Sequence, residues 1–154
     1  MKVLVLPIIV LILSACVSIP DTEEQLRANP YKVETWCSPL NFVDTYTLIA
    51  KHTARCHAQN DEAIIPVAGA FIPLSTQDVV LGQVIETNKS AKVTVEYLNP
   101  VEGGFLQAID ILATENCPAL VSVYVLNDTT KWKTATQSVA KWLEGDNESC
   151  FELF

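Results

Sequence analysis

Residues 79–98 read VVLGQVIETNKSAKVTVEYL, and this stretch decides the fold class. Polar and apolar side chains alternate from residue 92 to residue 97, a period of two that is typical of a strand with one wet face. The Asn88-Lys89-Ser90 segment supplies the polar residues of a tight connection. The stretch therefore predicts an antiparallel hairpin with strands at 79–87 and 91–98.

Two amphipathic helices are predicted on either side of this hairpin. Residues 41–57 begin with Asn41 as an N-cap. The second helix, in residues 128–143, starts from a cap at Asp128 or Thr129 and ends at Leu143, before Gly145, which suits a left-handed stop. Each stretch carries one apolar face at spacings of three and four residues. The face of the first helix consists of Phe42, Tyr46, Ile49, Thr53 and Cys56, and that of the second of Trp132, Ala135, Val139 and Trp142.

The remaining segments are less regular. Residues 63–74 contain two prolines, which favours an edge or irregular strand. Residues 105–115 carry an apolar stripe that predicts a further helix, and the Val-rich residues 119–126 predict an interior strand. The pattern as a whole predicts a small single α+β domain, with a mostly antiparallel sheet, about three helices packed on it and two disulfides.

The first fifteen residues have the anatomy of a signal peptide. Lys2 precedes an apolar run at residues 3–13, which is shorter than the ~20 residues that a membrane-spanning helix requires. The last residue of the run, Leu13, begins the segment Leu13-Ser14-Ala15-Cys16. This tetrapeptide resembles the lipobox of bacterial lipoproteins, in which an aliphatic residue and two small residues precede a cysteine.

The resemblance implies an address for the protein. In that family the cysteine carries lipid, including fatty acyl chains such as palmitate, and the peptide is cut before it. The implied organisation is a signal peptide at 1–15, a lipidated Cys16 with a short tether at 16–30, and a globular domain at 31–154. Valine rather than aspartate follows Cys16, which implies the outer membrane, with the domain facing the periplasm.

Cysteine counting agrees with export. The chain has five cysteines, and lipidation of Cys16 would account for the odd one. Cys37, Cys56, Cys117 and Cys150 then form an even set in an oxidising compartment, where two disulfides are expected. Three pairings are open. Pairing between sequence neighbours, Cys37 with Cys56 and Cys117 with Cys150, is favoured because such partners meet easily.

The charge of the chain is strongly acidic. Without Lys2, 9 basic residues oppose 18 acidic ones, a net charge of −9. Such a surface repels phosphate backbones, so nucleic acid is not an expected partner. One observation favours a different origin, because Asn88, Asn127 and Asn147 each begin an Asn-X-Ser/Thr sequon that a eukaryotic secreted protein would use.

No catalytic motif stands out. His52 and His57 lie beside Cys56 on the first helix, which permits a Cys–His nucleophile pair or half of a metal site. A zinc site needs three or four ligands, and no second pair of ligands has a matching spacing. The favoured interpretation is a bridged Cys56 with solvated histidines, and neither a metal nor a cofactor is predicted. A Gly-X-Ser-X-Gly elbow and a phosphate-binding loop are also missing from the sequence.

Aromatic residues supply the candidate contacts with a partner or ligand. Trp132 and Trp142 fall at core spacing, whereas Trp36 is the best candidate for an exposed tryptophan. The tail from Phe151 to Phe154 would either add a strand to a partner or form an edge strand of this chain's own sheet.

The sequence thus predicts a membrane-anchored periplasmic lipoprotein without catalytic activity. It would act as an adaptor, assembly factor or envelope sensor that binds another envelope protein. The alternatives are an envelope enzyme or enzyme inhibitor, and a small-ligand or metal-binding module. The enzyme alternative needs a cleft that holds a histidine beside a carboxylate. The ligand-binding alternative needs an apolar pocket that contains Trp36.

Overall fold

The computed structural model describes residues 18–57, 60–67, 70–99 and 103–150, with the backbone alone at 60–67 and 70–76. In chain order the elements of these residues are α1 Glu23–Ala28, β1 Lys32–Ser38, α2 Phe42–His57, β2 Asn60–Val67, β3 Ala70–Glu86, β4 Ser90–Leu98, β5 Gly103–Leu112, β6 Ala119–Val125 and α3 Thr130–Leu143. The described strands form one antiparallel sheet in the order β1-β6-β5-β4-β3-β2. The predicted small α+β domain with an antiparallel sheet, three helices and two disulfides is confirmed.

Both long helices pack on one face of the sheet. Their apolar stripes form the main core with β4, β5 and β6, and Ile49, Val139 and Trp142 are almost completely buried there. The predicted N-cap is present, since the Asn41 side-chain oxygen accepts a hydrogen bond from the Asp44 N–H at 3.0 Å. The helices predicted at 41–57 and 128–143 are confirmed to within two residues at each end.

The hairpin of β3 and β4 is also confirmed, and Asn88 in its turn has a φ of 58°. Asn tolerates this left-handed conformation better than most residues, which explains a turn without glycine. The Val-rich strand predicted at 119–126 is β6, which lies inside the sheet between β1 and β5. The proline-containing segment at 63–74 is divided between the edge strand β2 and the first part of β3.

The helix predicted at 105–115 is wrong, because these residues form β5. Ile109 and Ile111 belong to the core with α2 and α3, whereas Ala108 between them in the chain is buried on the opposite face. A strand that is buried on both faces reads as a nearly continuous apolar run. Because nearly every position in such a run is apolar, the positions three and four residues apart are apolar as well. Periodicity therefore cannot distinguish a strand from a helix here.

The opposite face of β5 is covered by residues 18–28, which we call the N-terminal strap. Its Leu26 is fully buried, a burial that contributes about 1.5–3 kcal/mol. The Arg27 guanidinium donates to both oxygens of the Asp110 carboxylate, with hydrogen bonds of 2.7, 3.0 and 3.1 Å, and Glu23 forms a salt bridge with Lys92. The strap lies within residues 16–30, for which the sequence predicts a tether, so most of that segment is packed on the sheet.

Helix α1 of the strap has local signals as well. The Thr22 hydroxyl accepts a hydrogen bond from the Gln25 N–H at 3.2 Å, and Glu23 and Glu24 lie in the first turn, where negative charge is favourable. A helix of six residues is nevertheless too short to be stable alone. Its stability therefore depends on the contacts of Leu26 and Arg27 with the sheet.

The disulfides join Cys37 to Cys117 and Cys56 to Cys150, so the favoured pairing of sequence neighbours is wrong. Cys37 is on β1, and Cys117 comes just before β6, which is the strand paired with β1. The other bridge connects the end of α2 to the segment after α3. Each bridge closes a loop of 80 or 94 residues, which in the chain-entropy account corresponds to about 4.5 kcal/mol.

Replacing Gly104 by alanine should release the strap. A Cβ at this position would lie 2.5 Å from the Pro20 carbonyl oxygen and 2.6 Å from Ile19 Cγ2, and the backbone φ is +152°. We expect a loss of about 2–3 kcal/mol in urea unfolding and faster trypsin cleavage after Arg27.

Gly145→Ala is the matched control, because Gly145 also has a positive φ of +97°, but a Cβ added there would have no heavy atom within 4 Å. It should cost only the conformational strain, about 1 kcal/mol, and leave the cleavage after Arg27 unchanged. Equal effects of the two substitutions would contradict the packing of the strap against β5.

Candidate functional site

The two histidines of α2 point into the protein. His52 is 4% exposed and His57 is 1% exposed, so the expectation of solvated histidines is wrong. The sequence places both on α2, but the apolar stripe at residues 42–56 does not include them. They are buried because α3 and the segment after it cover this side of α2, and each ring stacks on a tryptophan of α3.

His57 belongs to a buried charged cluster that joins three elements. Its Nδ1 lies 3.3 Å from Oδ2 of Asp78 on β3, and the Lys131 ammonium group on α3 donates to the same oxygen at 3.0 Å. The imidazole stacks on Trp132 with 5.6 Å between the ring centroids, and the Lys131 nitrogen lies 5.0 Å from the Trp132 centroid. The cluster thus connects α2, α3 and the sheet through one carboxylate.

The pKa shifts in this cluster have clear causes. Burial lowers the pKa of His57, an effect that the neighbouring Asp78 carboxylate partly opposes. Burial by itself would raise the pKa of Asp78, but hydrogen bonds from His57 and Lys131 outweigh it and lower that pKa. Near neutral pH the cluster therefore contains a neutral imidazole, a carboxylate and an ammonium group.

A histidine oriented by a carboxylate is the arrangement of a general base. Here the ring is 1% exposed, so a substrate cannot reach it unless the side chains that cover it move. The enzyme alternative requires a histidine beside a carboxylate in an open cleft. The carboxylate is present, but the imidazole ring is not accessible from solvent. The geometry is that of a structural connection between α2, β3 and α3.

His52 lies at the wall of a surface cavity of about 410 Å³ between α2 and the segment after α3. Its ring stacks on Trp142 at 5.3 Å, and its Nδ1 is buried without a hydrogen-bond partner among the described residues. Burial lowers the pKa of His52, and the positive charges of Arg55 and Lys51 lower it further. The cavity is lined by both signs of charge, from Asp44, Lys51, Arg55 and Glu148.

A second cavity, of about 390 Å³, lies where the N-terminal strap meets the start of β1. It is lined by Ser18, Pro20, Gln25, Asn29, Pro30, Tyr31 and Leu126. Trp36, the predicted contact residue, lines neither cavity and is half-buried against the core. Neither cavity is therefore the apolar pocket around Trp36 that the ligand-binding alternative requires.

The other predicted site residues separate into two groups. Cys37, Cys56, Cys117 and Cys150 are all bridged, so Cys56 has no free thiol to act as a nucleophile or metal ligand. Cys16, Phe151 and Phe154 lie outside the described residues. Within the described part of the chain, no group of three or more His, Cys, Asp or Glu side chains could hold a metal ion, and no helix is long and apolar enough to cross a membrane.

The roles of Asp78 and Lys131 were not predicted from the sequence. They come from β3 and α3, and 53 residues separate them along the chain. The exposed edge of the sheet was also missed. No described strand pairs with the outer edge of β1, and Tyr31 and Val33 at this edge are 60% and 45% exposed. Edge exposure depends on strand order, which local patterns do not encode.

Acid should weaken the fold through the buried histidines. In the unfolded chain a histidine takes up a proton below about pH 6.5, whereas the lowered pKa of His57 and His52 keeps the folded rings neutral to a lower pH. The unfolded state then binds more protons, so the free energy of unfolding should fall as the pH is lowered from about 7 to about 5.

Urea unfolding at several pH values checks this slope. His57→Gln and His52→Gln should each remove part of it, and the double substitution should remove most of it, whatever the loss in absolute stability. A wild-type free energy of unfolding that stays constant over this range would show that the rings are not held neutral in the fold.

Comparisons with known proteins do not assign this chain to a family. No family model, no curated protein and no solved structure matches it. The function therefore has to be argued from the chain's own residues.

Proposed function

We propose that this chain is the precursor of a bacterial lipoprotein whose folded domain is held at a membrane surface and binds another envelope protein without catalysing a reaction. The observation that carries the proposal is the N-terminal strap. It begins only two residues after Cys16 and is fastened to the sheet through Leu26, Arg27 and the Pro20 carbonyl.

The attachment of the strap to the sheet limits the distance between the domain and a lipid on Cys16. Pro20 accepts a hydrogen bond of 2.9 Å from the Phe105 N–H, so the chain is attached to the sheet four residues after Cys16. Four extended residues span at most about 14 Å. A lipidated Cys16 would therefore keep the domain next to the bilayer, with one end of the sheet facing it, and several acyl chains would make this attachment stable.

The open edge of β1 supports a role in binding protein. A strand edge presents unpaired N–H and C=O groups, and an extended peptide can pair with them. Tyr31 and Val33 add exposed apolar surface at this edge, near the strap. Natural edges are usually protected by charges, and here Lys32 and Glu34 neutralise each other in a salt bridge. An edge of this kind favours the addition of a partner strand.

The buried state of the histidines makes the adaptor preferable to an enzyme. The pair of His57 and Asp78 is inside the protein, and Cys56 is oxidised in a disulfide. The residue after the predicted lipidation site is Val17, which favours the periplasmic face of the outer membrane as the location. In this proposal the domain is held at that membrane surface and binds a partner protein at the β1 edge.

Cys16→Ala should move the protein from the membrane fraction to the soluble periplasmic fraction, because the substitution removes the acceptor of the lipid. Intact mass of the wild-type chain extracted from membranes should correspond to residues 16–154 plus acyl groups, with two disulfides. Ser18→Ala, which leaves the lipobox intact, is the control. A Cys16→Ala chain that stays in the membrane with its signal removed, or a wild-type chain without acyl mass, would refute the anchor.

A photo-crosslinking residue placed at Val33 should give one discrete protein adduct in cells, because the β1 edge is the proposed docking surface. The adduct should weaken in the Cys16→Ala background, since tethering restricts encounters to the membrane. Thr87, in the turn between β3 and β4, is the matched exposed control position. The same adducts from both positions, or none from Val33, would contradict docking at β1.

A further inference from the structure

The β2 strand and the first part of β3 form a two-stranded arm that extends past the rest of the sheet. Strand β3 pairs with β4 only from Gln77 onward, whereas its residues before Gln77 pair with β2 alone. We call residues 60–67 and 70–77 the arm. The seven residues from Ala70 to Thr76 correspond to about 23 Å of extended backbone beyond the last residue pair of β3 and β4.

The arm has a polar base and an apolar distal half. In the register of the pair, the three residue pairs at the base join Asn60, Asp61 and Glu62 to Gln77, Thr76 and Ser75. The next five pairs, from Ala63 opposite Leu74 to Val67 opposite Ala70, contain only Ala, Val, Ile, Leu, Phe and Pro. These five pairs cover about 15 Å, which is close to half the ~30 Å thickness of a bilayer core.

The arm leaves the sheet at the end where the N-terminal strap begins. At its base, Gln77 is opposite Leu98, and Leu98 is opposite Gly103 on the next strand, a distance of about 10 Å across two strand spacings. Close to Gly103, the Phe105 N–H is bound to the Pro20 carbonyl. A lipid attached to Cys16 and the base of the arm therefore lie at the same end of the domain.

From this placement we infer that the distal half of the arm enters the lipid surface to which Cys16 is attached. This inference rests on the proposed lipidation, which brings the bilayer to that end of the sheet. The occupant is lipid rather than a second protein, because the proposed anchor brings lipid to this end of the sheet and the distal half of the arm carries no charge, whereas its polar base stays on the water side. The acidic domain above it is repelled by anionic lipids, so the favoured surface is zwitterionic.

The depth of entry is limited by the backbone. Among the described strands, the outer edges of the arm have no partner, and unpaired N–H and C=O groups are not tolerated in the hydrocarbon core. Pro66 and Pro73 remove two of the N–H donors, which reduces this cost but does not abolish it. The arm therefore lies in the interfacial layer, where water still reaches the backbone, and does not cross the membrane.

Bromolipid quenching tests the inference. The full chain is purified from membranes with its native lipid and reconstituted into phosphatidylcholine vesicles that contain brominated lipids. Phe71→Trp places a fluorophore in the distal half of the arm, and Thr87→Trp places one in the turn at the opposite end of the sheet. Wild-type chain, with Trp36, Trp132 and Trp142, gives the background.

We expect Phe71→Trp to gain fluorescence that bromines near the headgroups quench at least twofold more strongly than bromines at the chain ends. Thr87→Trp should show no quenching above background. Adding Ile65→Lys to Phe71→Trp should abolish the gain, because a charge in the distal half opposes entry into lipid.

Flotation and intact mass separate the two proposals. A chain that carries acyl groups and floats with the vesicles, but shows no quenching of the Trp at position 71, overturns the inference and leaves the anchor intact. A chain without acyl groups that floats through a quenched arm refutes the anchor and supports the inference. A chain without acyl groups that neither floats nor is quenched overturns both.

Discussion

The contact between β5 and the N-terminal strap is the constraint on which the rest of the structure depends. Strand β5 is buried on both faces, by the long helices on one side and by the strap on the other. Leu26 excludes water from the strap side, and the partly buried Arg27–Asp110 pair fixes the direction in which the strap crosses. Since Gly104 leaves no room for a side chain, the Pro20 carbonyl can approach the Phe105 N–H directly.

The helix side is fastened by different means. The Cys56–Cys150 bridge joins the end of α2 to the segment after α3, and the stacked pairs of His52 with Trp142 and His57 with Trp132 lie between the same two helices. Asp78 adds a connection from this layer to β3. Chemically reactive residue types are thus used for packing and bridging, which is why the motifs around Cys56 do not form an accessible site.

The position of the strap bears on the proposed function at one end of the sheet. The strap, the base of the arm and the start of β1 with Tyr31 all lie at this end, while the β3–β4 turn lies at the other. A membrane attached through Cys16 would meet the arm, and a protein partner would find the β1 edge beside it. The proposed anchoring, lipid contact and partner binding therefore follow from one geometric fact, the place where the chain enters the fold.

Local signals in the sequence determined the two long helices, the β3–β4 hairpin and β6, because each carries a clear period of 3.6 or 2 or a long β-branched run. The proposal of a signal region rests on a contiguous motif as well, because Leu13-Ser14-Ala15-Cys16 resembles a lipobox. The sequence pattern did not identify residues 105–115 as a strand. Strand β5 has apolar side chains on both faces, because the long helices cover one face and the strap covers the other.

Only the tertiary structure decided the disulfide pairing, the burial of His52 and His57, the joining of Asp78 to Lys131 and the packing of the strap. Each of these depends on which strands and helices become neighbours. Residues 80 or more apart, such as Cys37 and Cys117, are brought together by strand order, and strand order is set by the burial of the whole core rather than by any local pattern.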